Sequence, residues 1–383
     1  MRTRPGAILS LTVEPVVGRR GIADFIAVPW QVYGDDPQWV PPLKFERREA
    51  FSAKHPFFNH ARWQPFVAYR NGVPVGRVSA QVDALFQERH DAKGGFFGCF
   101  DAIDDPEVSG ALLEAAERWL VGNGCERVLG PFSLGINQEV GILVDGFDTP
   151  PRFLMPHGRD YYAAALASNG YREAQRMLAY EVPVEFTVPP AMAAIERRAS
   201  ARVKVRSLQR KDLDAELEVM RGLFNDAWQH NWKFVPWTKE EFHAVGREIM
   251  LLVPDDFIQI AELDGEPVAF IVLIPNLNEV IADLDGRLLP LGWAKLLWRI
   301  KVRYPKSGRV PLMGVRAEHH NTRLGAGLAL LCIHSVRDAA RRAGLVTTEL
   351  SWILEDNRGM RSIIESMGGQ LSKTYAMFGK SLI

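Results

Sequence analysis

Cysteine is scarce in this 383-residue chain: Cys99, Cys125 and Cys332 form no C-x-x-C pair, and each sits in an apolar stretch where a small buried thiol packs well. That usage excludes a disulfide-stapled fold and suits a reducing cytoplasm. Net charge is also absent. Forty-six basic side chains balance 46 acidic ones, so no global field draws the chain to nucleic acid, and any charged partner must be met by a local patch. Long hydrophobic runs are missing, since no window approaches the roughly eighteen apolar residues of a membrane span. The opening MRTRPGAILSLTVEP is basic and briefly apolar, but it is interrupted too soon for a signal peptide.

What the chain does hold is enough apolar residue, 47%, for two cores. It also tells a similar story twice. QPFVAYRNGVPVGRVSAQVD (64–83) reads as two strands joined at Asn71-Gly72, a strong hairpin signal, and FIQIAELDGEPVAFIVLI (257–274) repeats the pattern at Asp264-Gly265. Residues 111–133 and 329–352 each read as an amphipathic helix, a glycine stop (Gly124, Gly344) and a strand. Each half then closes with a short helix, a glycine and a last strand, at 168–182 and 366–380. This pattern-level duplication implies two copies of one α/β unit, at 1–190 and 200–383, with the boundary near 195 in a segment of paired prolines and clustered charge. In the second copy, 211–229 and 238–252 have helical periodicity, the latter opening on Thr238 and Glu241 as a capping box.

Two glycines stand where helix should be good. Arg323-Leu324-Gly325-Ala326-Gly327-Leu328 follows a strand read at 308–318 and opens a helix read at 325–343. A glycine costs a helix about 1 kcal/mol relative to alanine, so these two need a reason. A helix N-terminus offers unpaired N–H groups, and glycines there would let a pyrophosphate approach them; a tight turn that binds nothing reads the same way. The next strand, TTELSWI (347–353), ends in LEDN, and Asn357 starts a short helix.

Strand, glycine turn, helix, strand, asparagine, helix, glycine, strand resembles the coenzyme-A-binding half of the GNAT superfamily of N-acyltransferases. The resemblance implies an α/β fold of two tandem GNAT-like domains, each a mixed, mostly antiparallel sheet flanked by helices. It implies acyl-CoA as co-substrate and no metal, with Arg323, Leu324, Gly325, Ala326, Gly327 and Leu328 cradling the pyrophosphate. Val315, on the preceding strand, and Asn357 would face the pantetheine. Two positions depart from the family pattern: Thr322 stands where Gln or Arg is usual, and Ile364 where a thiolate-protonating tyrosine often lies. In the first copy the phosphate position holds Asp101, Asp104, Asp105 and Glu107, which would repel a pyrophosphate, so that copy is expected to shape the substrate cleft or brace its partner.

Acyl transfer to an amine needs a base and an oxyanion stabiliser. Glu318, His319 and His320, at the end of the strand leading into the glycine turn, are the first candidates, and Glu349 on the following strand is the reserve. The His-His pair does not make a metal site, because adjacent strand residues point opposite ways and no third ligand is near. In the long polar stretch 130–162, Asn137, Glu139, His157 and Tyr161 are candidates for an acceptor site. The segment RLLPLGWAKLLWRIKVRYPKSGR (287–309) carries seven Arg or Lys and no acidic residue. Its Trp293, Leu297 and Trp298 with Lys295 and Arg299 suit a basic amphipathic helix lying on a membrane, or a helix packed on its own domain.

Residues 26–43, 76–83, 95–107, 126–151 and 349–357 look more narrowly like a group of bacterial tandem GNAT proteins that includes the ceramide synthases. The glutamate-rich pattern that a pyrophosphohydrolase would need is not in the sequence. The expected function is transfer of a long-chain acyl group from acyl-CoA to the amine of a lipid-like acceptor, such as a sphingoid base. The alternatives are an acyltransferase for a small amine or amino acid, and a non-catalytic acyl-CoA- or lipid-binding module. Ligation from aminoacyl-tRNA is disfavoured by the neutral charge.

Overall fold

In the computed structural model, which describes residues 10–383, the strand Leu11–Pro15 (β1) pairs antiparallel with Ala61–Arg70 (β2). Asn71 and Gly72 follow at φ of 54° and 79°, the left-handed pair an Asn-Gly hairpin requires, and return the chain as Val73–Asp83 (β3). Gly94–Ala102 (β4) pairs antiparallel with β3, and Arg127–Gly130 (β5) pairs parallel with β4. The parallel step needs a crossover, supplied by the helix Pro106–Gly122, while the helix Gly18–Tyr33 (α1) packs on the same strands. Call the crossover helix α2. Its face Val108, Leu112, Ala115, Ala116 and Leu120 enters a core with Phe25, Val67, Val78 and Phe97.

The second unit repeats this pattern of pairing. Arg172–Pro183 (β6) leads into the helix Pro190–Ala199 (α3) and the strand Val203–Ser207 (β7). Helices Leu213–Trp228 (α4) and Lys239–Met250 (α5) follow, α5 capped by the reciprocal Thr238 and Glu241 bonds expected from the sequence. Ile258–Leu263 (β8) and Glu266–Pro275 (β9) form the second hairpin, with Asp264 and Gly265 at φ of 52° and 94°. After the helix Gly292–Val302 (α6) come Ser307–Val315 (β10), Arg323–Ala343 (α7), Thr347–Leu354 (β11), Arg358–Ser366 (α8) and Gln370–Ser381 (β12). The order β7-β8-β9-β10 is antiparallel throughout, β10 and β11 are parallel around the crossover α7, and β6 pairs antiparallel with β11. Each unit is thus a mixed, mostly antiparallel sheet flanked by helices.

The units do not follow the boundary expected from the sequence. One comprises the chain up to Pro150 with 156–174 and 376–383, the other 151–155 with 175–375. Strand pairing is the reason. Phe378 to Ser381 of β12 pair with Gly130 to Arg127 of β5, whereas Met177 to Pro183 of β6 pair with Leu354 to Thr347 of β11. The stretch around 195 is also no linker, since α3 packs along α7. The opening residues 1–9, where a leader was weighed, lie outside the described residues.

Candidate active site

The reading of the glycine turn changes once packing is visible. A β-carbon on Gly325 would stand 2.1 Å from the His319 carbonyl oxygen, and one on Gly327 would stand 2.5 Å from Cβ of Ala199 in α3. Close approach of protein backbone and of a neighbouring helix therefore suffices to require both glycines. Helix α7 starts two residues before the expected point, with Thr322 as its N-cap, whose Oγ1 accepts from the Gly325 N–H at 2.9 Å. Of the expected pyrophosphate residues, Arg323 is exposed at the mouth of the helix, and Leu328 is buried. The Asn357 side chain caps α8 by accepting from Met360 N–H at 3.1 Å. Ile364, at the position of the missing tyrosine, is fully buried against Leu178, Tyr180 and Val182.

Glu318, His319 and His320 do not lie on the strand. β10 ends at Val315, and the three form or follow a 3₁₀ turn, Ala317–His319. His320 Nε2 lies 2.7 Å from the Val315 carbonyl oxygen, and the Glu318 side chain is largely exposed, 3.7 Å from His319 Nε2.

A different constellation stands where the parallel strands part. β10 and β11 pair from Ser307/Thr347 to Val310/Leu350 and then separate, although β10 continues to Val315. Arg309 and Glu349 face each other in this register, both 2% exposed, with Nε to Oε1 at 3.9 Å. The Ser351 hydroxyl bridges them: it donates to Glu349 Oε1 at 2.7 Å and accepts from Arg309 Nε at 2.7 Å. The guanidinium also donates to the Leu154 carbonyl at 3.1 Å and lies 4.7 Å from the Trp352 ring centroid. Residues 151–155 cover the cluster, held by Asn276 Oδ1 on Phe153 N–H, by Asn278 on the Pro151 carbonyl and by Arg152 on Ser307 and Glu181. Burial pushes the Glu349 carboxyl above its ordinary range, against the opposing pull of Arg309, Ser351, Arg152 and Lys373. A carboxyl so held is a candidate base.

The four acceptor-site candidates of the first unit have separate partners. Glu139 lies 2.6 Å from Arg47, and Asn137 is partly buried beside it in sequence. His157 Nε2 lies 2.9 Å from Asp36, and the Tyr161 hydroxyl donates to the Ala102 carbonyl at 2.8 Å. At the phosphate position, Asp105 caps α2 and shares Arg70 with Glu107, while Asp101 is buried between Arg77 and Tyr33.

Helix α6 buries none of its residues. Trp293, Leu297 and Trp298 are each about half exposed, at 50%, 51% and 50%, and Leu289 and Val302 are exposed beside them. The expected basic stripe is not free, because Lys295 and Arg299 both bind Asp283, which strongly lowers that carboxyl's pKa. Among the described residues no helix is long and apolar enough to cross a membrane, and no His, Cys, Asp and Glu group is arranged to hold a metal.

Sequence reasoning reached Glu349 only as a reserve and did not single out Arg309, Ser351 or Trp352. A signal existed in GRVPLMGV, where one arginine interrupts an apolar strand, a costly placement unless its charge is used.

The chain matches no family model. It is 46% identical over 371 residues to protein YghO of Escherichia coli K12, spanning 97% of this chain and 95% of that one. It is 40% identical over 375 residues to the bacterial ceramide synthase of Caulobacter vibrioides, spanning 97% and 98%. Among solved structures, a tandem GNAT protein from the clavulanic acid biosynthesis pathway matches with a TM-score of 0.57 at 12% identity, over 98% of this chain and 99% of that one, which speaks for the fold alone. With this sequence kinship and two copies of the same mixed sheet, the chain belongs to the family of tandem GNAT acyltransferases that includes bacterial ceramide synthase.

Proposed function

We propose that this protein transfers a long-chain acyl group from acyl-CoA to the amine of a lipid-like acceptor, with a sphingoid base the first acceptor to test. The carrying observation is the buried Glu349 carboxyl at the point where β10 and β11 part. A thioester laid in that fork has its carbonyl beside a base and a buried arginine. Glu349 then takes a proton from the acceptor amine, nitrogen forms a bond to the carbonyl carbon, and the carbon–sulfur bond breaks to expel the thiolate, which becomes the thiol by taking a proton from Glu349 or from water. Admitting the acceptor requires residues 151–155 to lift from the cluster.

In this reading the second unit holds acyl-CoA, with the phosphates at the positive end of α7 beside Arg323. Asp105 and Glu107 at the start of α2 speak against the same use of the first unit. The exposed tryptophans and leucines of α6, next to Lys301 and to Arg303, whose guanidinium lies over the Trp298 ring, support peripheral contact with an anionic lipid surface from which a long-chain acceptor is drawn.

The test is thiol release with palmitoyl-CoA and acetyl-CoA against sphinganine, 3-ketosphinganine and a panel of small amines. The expected result is turnover with palmitoyl-CoA and a sphingoid base, with weaker acyl-CoA binding in Arg323→Glu. Turnover with small amines alone would replace the lipid reading, and binding of acyl-CoA without turnover on any amine would leave a binding module.

A further inference from the structure

Two buried hydrogen-bond donors flank the Arg309 and Glu349 cluster without a partner: the Tyr375 hydroxyl and the Trp352 Nε1–H. Tyr375 is fully buried on β12, and its phenol feels the charges of both Glu349 and Arg309. The Trp352 indole lies under the Arg309 guanidinium. An unmet buried donor is destabilising, and pairs of them beside a buried cation are not what folding alone selects. By contrast, Arg309 has its N–H groups on Ser351 and on the carbonyls of Phe153 and Leu154, so it contributes charge and position, not a free donor.

Donors left open in a dry, positively charged site match a demand that arises only during reaction, the charge that develops on a carbonyl oxygen. We propose that Tyr375 and Trp352 form the oxyanion hole of the acyl transfer, donating to the thioester carbonyl oxygen of acyl-CoA. This rests on the reading of Glu349 as the base. An amine within reach of Glu349 puts the carbon it attacks, and that carbon's oxygen, beside the groups that flank the carboxyl. When the amine nitrogen bonds to carbon, the carbonyl π pair moves to oxygen and is held by the two N–H and O–H donors. Its return expels the sulfur, and Glu349 carries the amine proton. The Arg309 guanidinium stabilises the same charge from behind the indole.

The experiment compares Tyr375→Phe, which removes the hydroxyl and keeps the ring, and Trp352→Phe, which removes the indole N–H and leaves a smaller aromatic face under Arg309, with wild type in the thiol-release assay. Acyl-CoA affinity and Tm are measured in parallel. The expected result is a fall in kcat of about 10²-fold or more for each variant, with acyl-CoA affinity unchanged. Tyr375→Phe should keep the wild-type Tm or exceed it, because the hydroxyl removed has no partner. A kcat near the wild-type value in both variants overturns the proposal, as does a loss of kcat that only tracks a loss of Tm or of affinity. Absence of turnover in the wild type itself would refute the acyltransferase reading, a separate result, and the oxyanion hole with it.

Discussion

Replacing Glu349 by glutamine keeps the shape of the side chain and removes its charge and its proton capacity. At 3.9 Å, the Arg309 guanidinium attracts the carboxylate by about 4 kcal/mol at an effective dielectric near 20. Taking a carboxylate out of water costs several kcal/mol, and here burial outweighs the attraction, so the carboxyl is pushed above its ordinary value of 4.5. Folding therefore favours the neutral form. The stability this provides is complete below the unfolded value and is lost as pH rises through the folded one. Glutamine stays neutral, so Glu349→Gln should match the wild-type Tm near pH 4.5 and exceed it increasingly as pH rises. Its kcat should fall by about 10²- to 10⁴-fold, and the wild-type profile of kcat/KM should rise with pH through an inflection above the ordinary glutamate range that the variant lacks. Thermal unfolding across pH 4.5 to 8 and thiol release over the same range test both halves. A flat Tm difference would refute the burial argument, and a variant with nearly wild-type kcat would remove Glu349 from the chemistry.

The α6 face predicts that serine at Trp293, Leu297 and Trp298 together leaves Tm unchanged, since none of the three is core, and lowers partitioning onto phosphatidylglycerol vesicles by about 10²-fold. Co-sedimentation decides it, and full retention of binding would assign the face to a protein contact instead. At the mouth of α7, Thr322→Val removes the cap on the Gly325 N–H and should lower stability by about 0.5–2 kcal/mol while leaving acyl-CoA affinity equal or higher. Lost affinity at unchanged Tm would make Thr322 a phosphate ligand.

The features the sequence made legible are those written in neighbouring residues. Asn71-Gly72 and Asp264-Gly265 each carry their own turn geometry, and Thr238 with Glu241 carries its own cap. The cluster at the fork is not written locally. Arg309 meets Ser351 42 residues later and Leu154 155 residues earlier, and no periodicity announces either contact. Gly327 reads like a phosphate-loop glycine because helix packing and ligand approach impose the same need for a missing β-carbon, and only the position of Ala199 separates the two. The stretch near 195 is ambiguous in sequence for a related reason: paired prolines suggest a linker, but Pro190 is also at home in the first turn of α3.

The duplication supplies its own control for where chemistry resides. Both units part their parallel strands, β4 from β5 after Phe96/Leu129 and β10 from β11 after Val310/Leu350. Both hold an arginine against or near a carboxylate close by, fully buried as Arg309 and Glu349 in the second unit and with only Asp101 buried and Arg77 partly so in the first. In the first unit that network closes on itself: Arg77 binds Asp101, the Tyr33 hydroxyl donates to Asp101 and meets the Tyr162 hydroxyl at 3.0 Å, and Tyr162 accepts from the Ala102 N–H. Such a network stabilises its unit, and the hydroxyls of Tyr33 and Tyr162 are both engaged within it. In the second unit the arginine and glutamate are bridged by one serine, and a phenol and an indole beside them stay unmet. Two units of like fold thus treat a comparable charge pair differently, and in the second the unmet donors beside it carry a cost. A cost of that kind persists where a ligand repays it during turnover, which supports the proposal that places the reaction in the second unit.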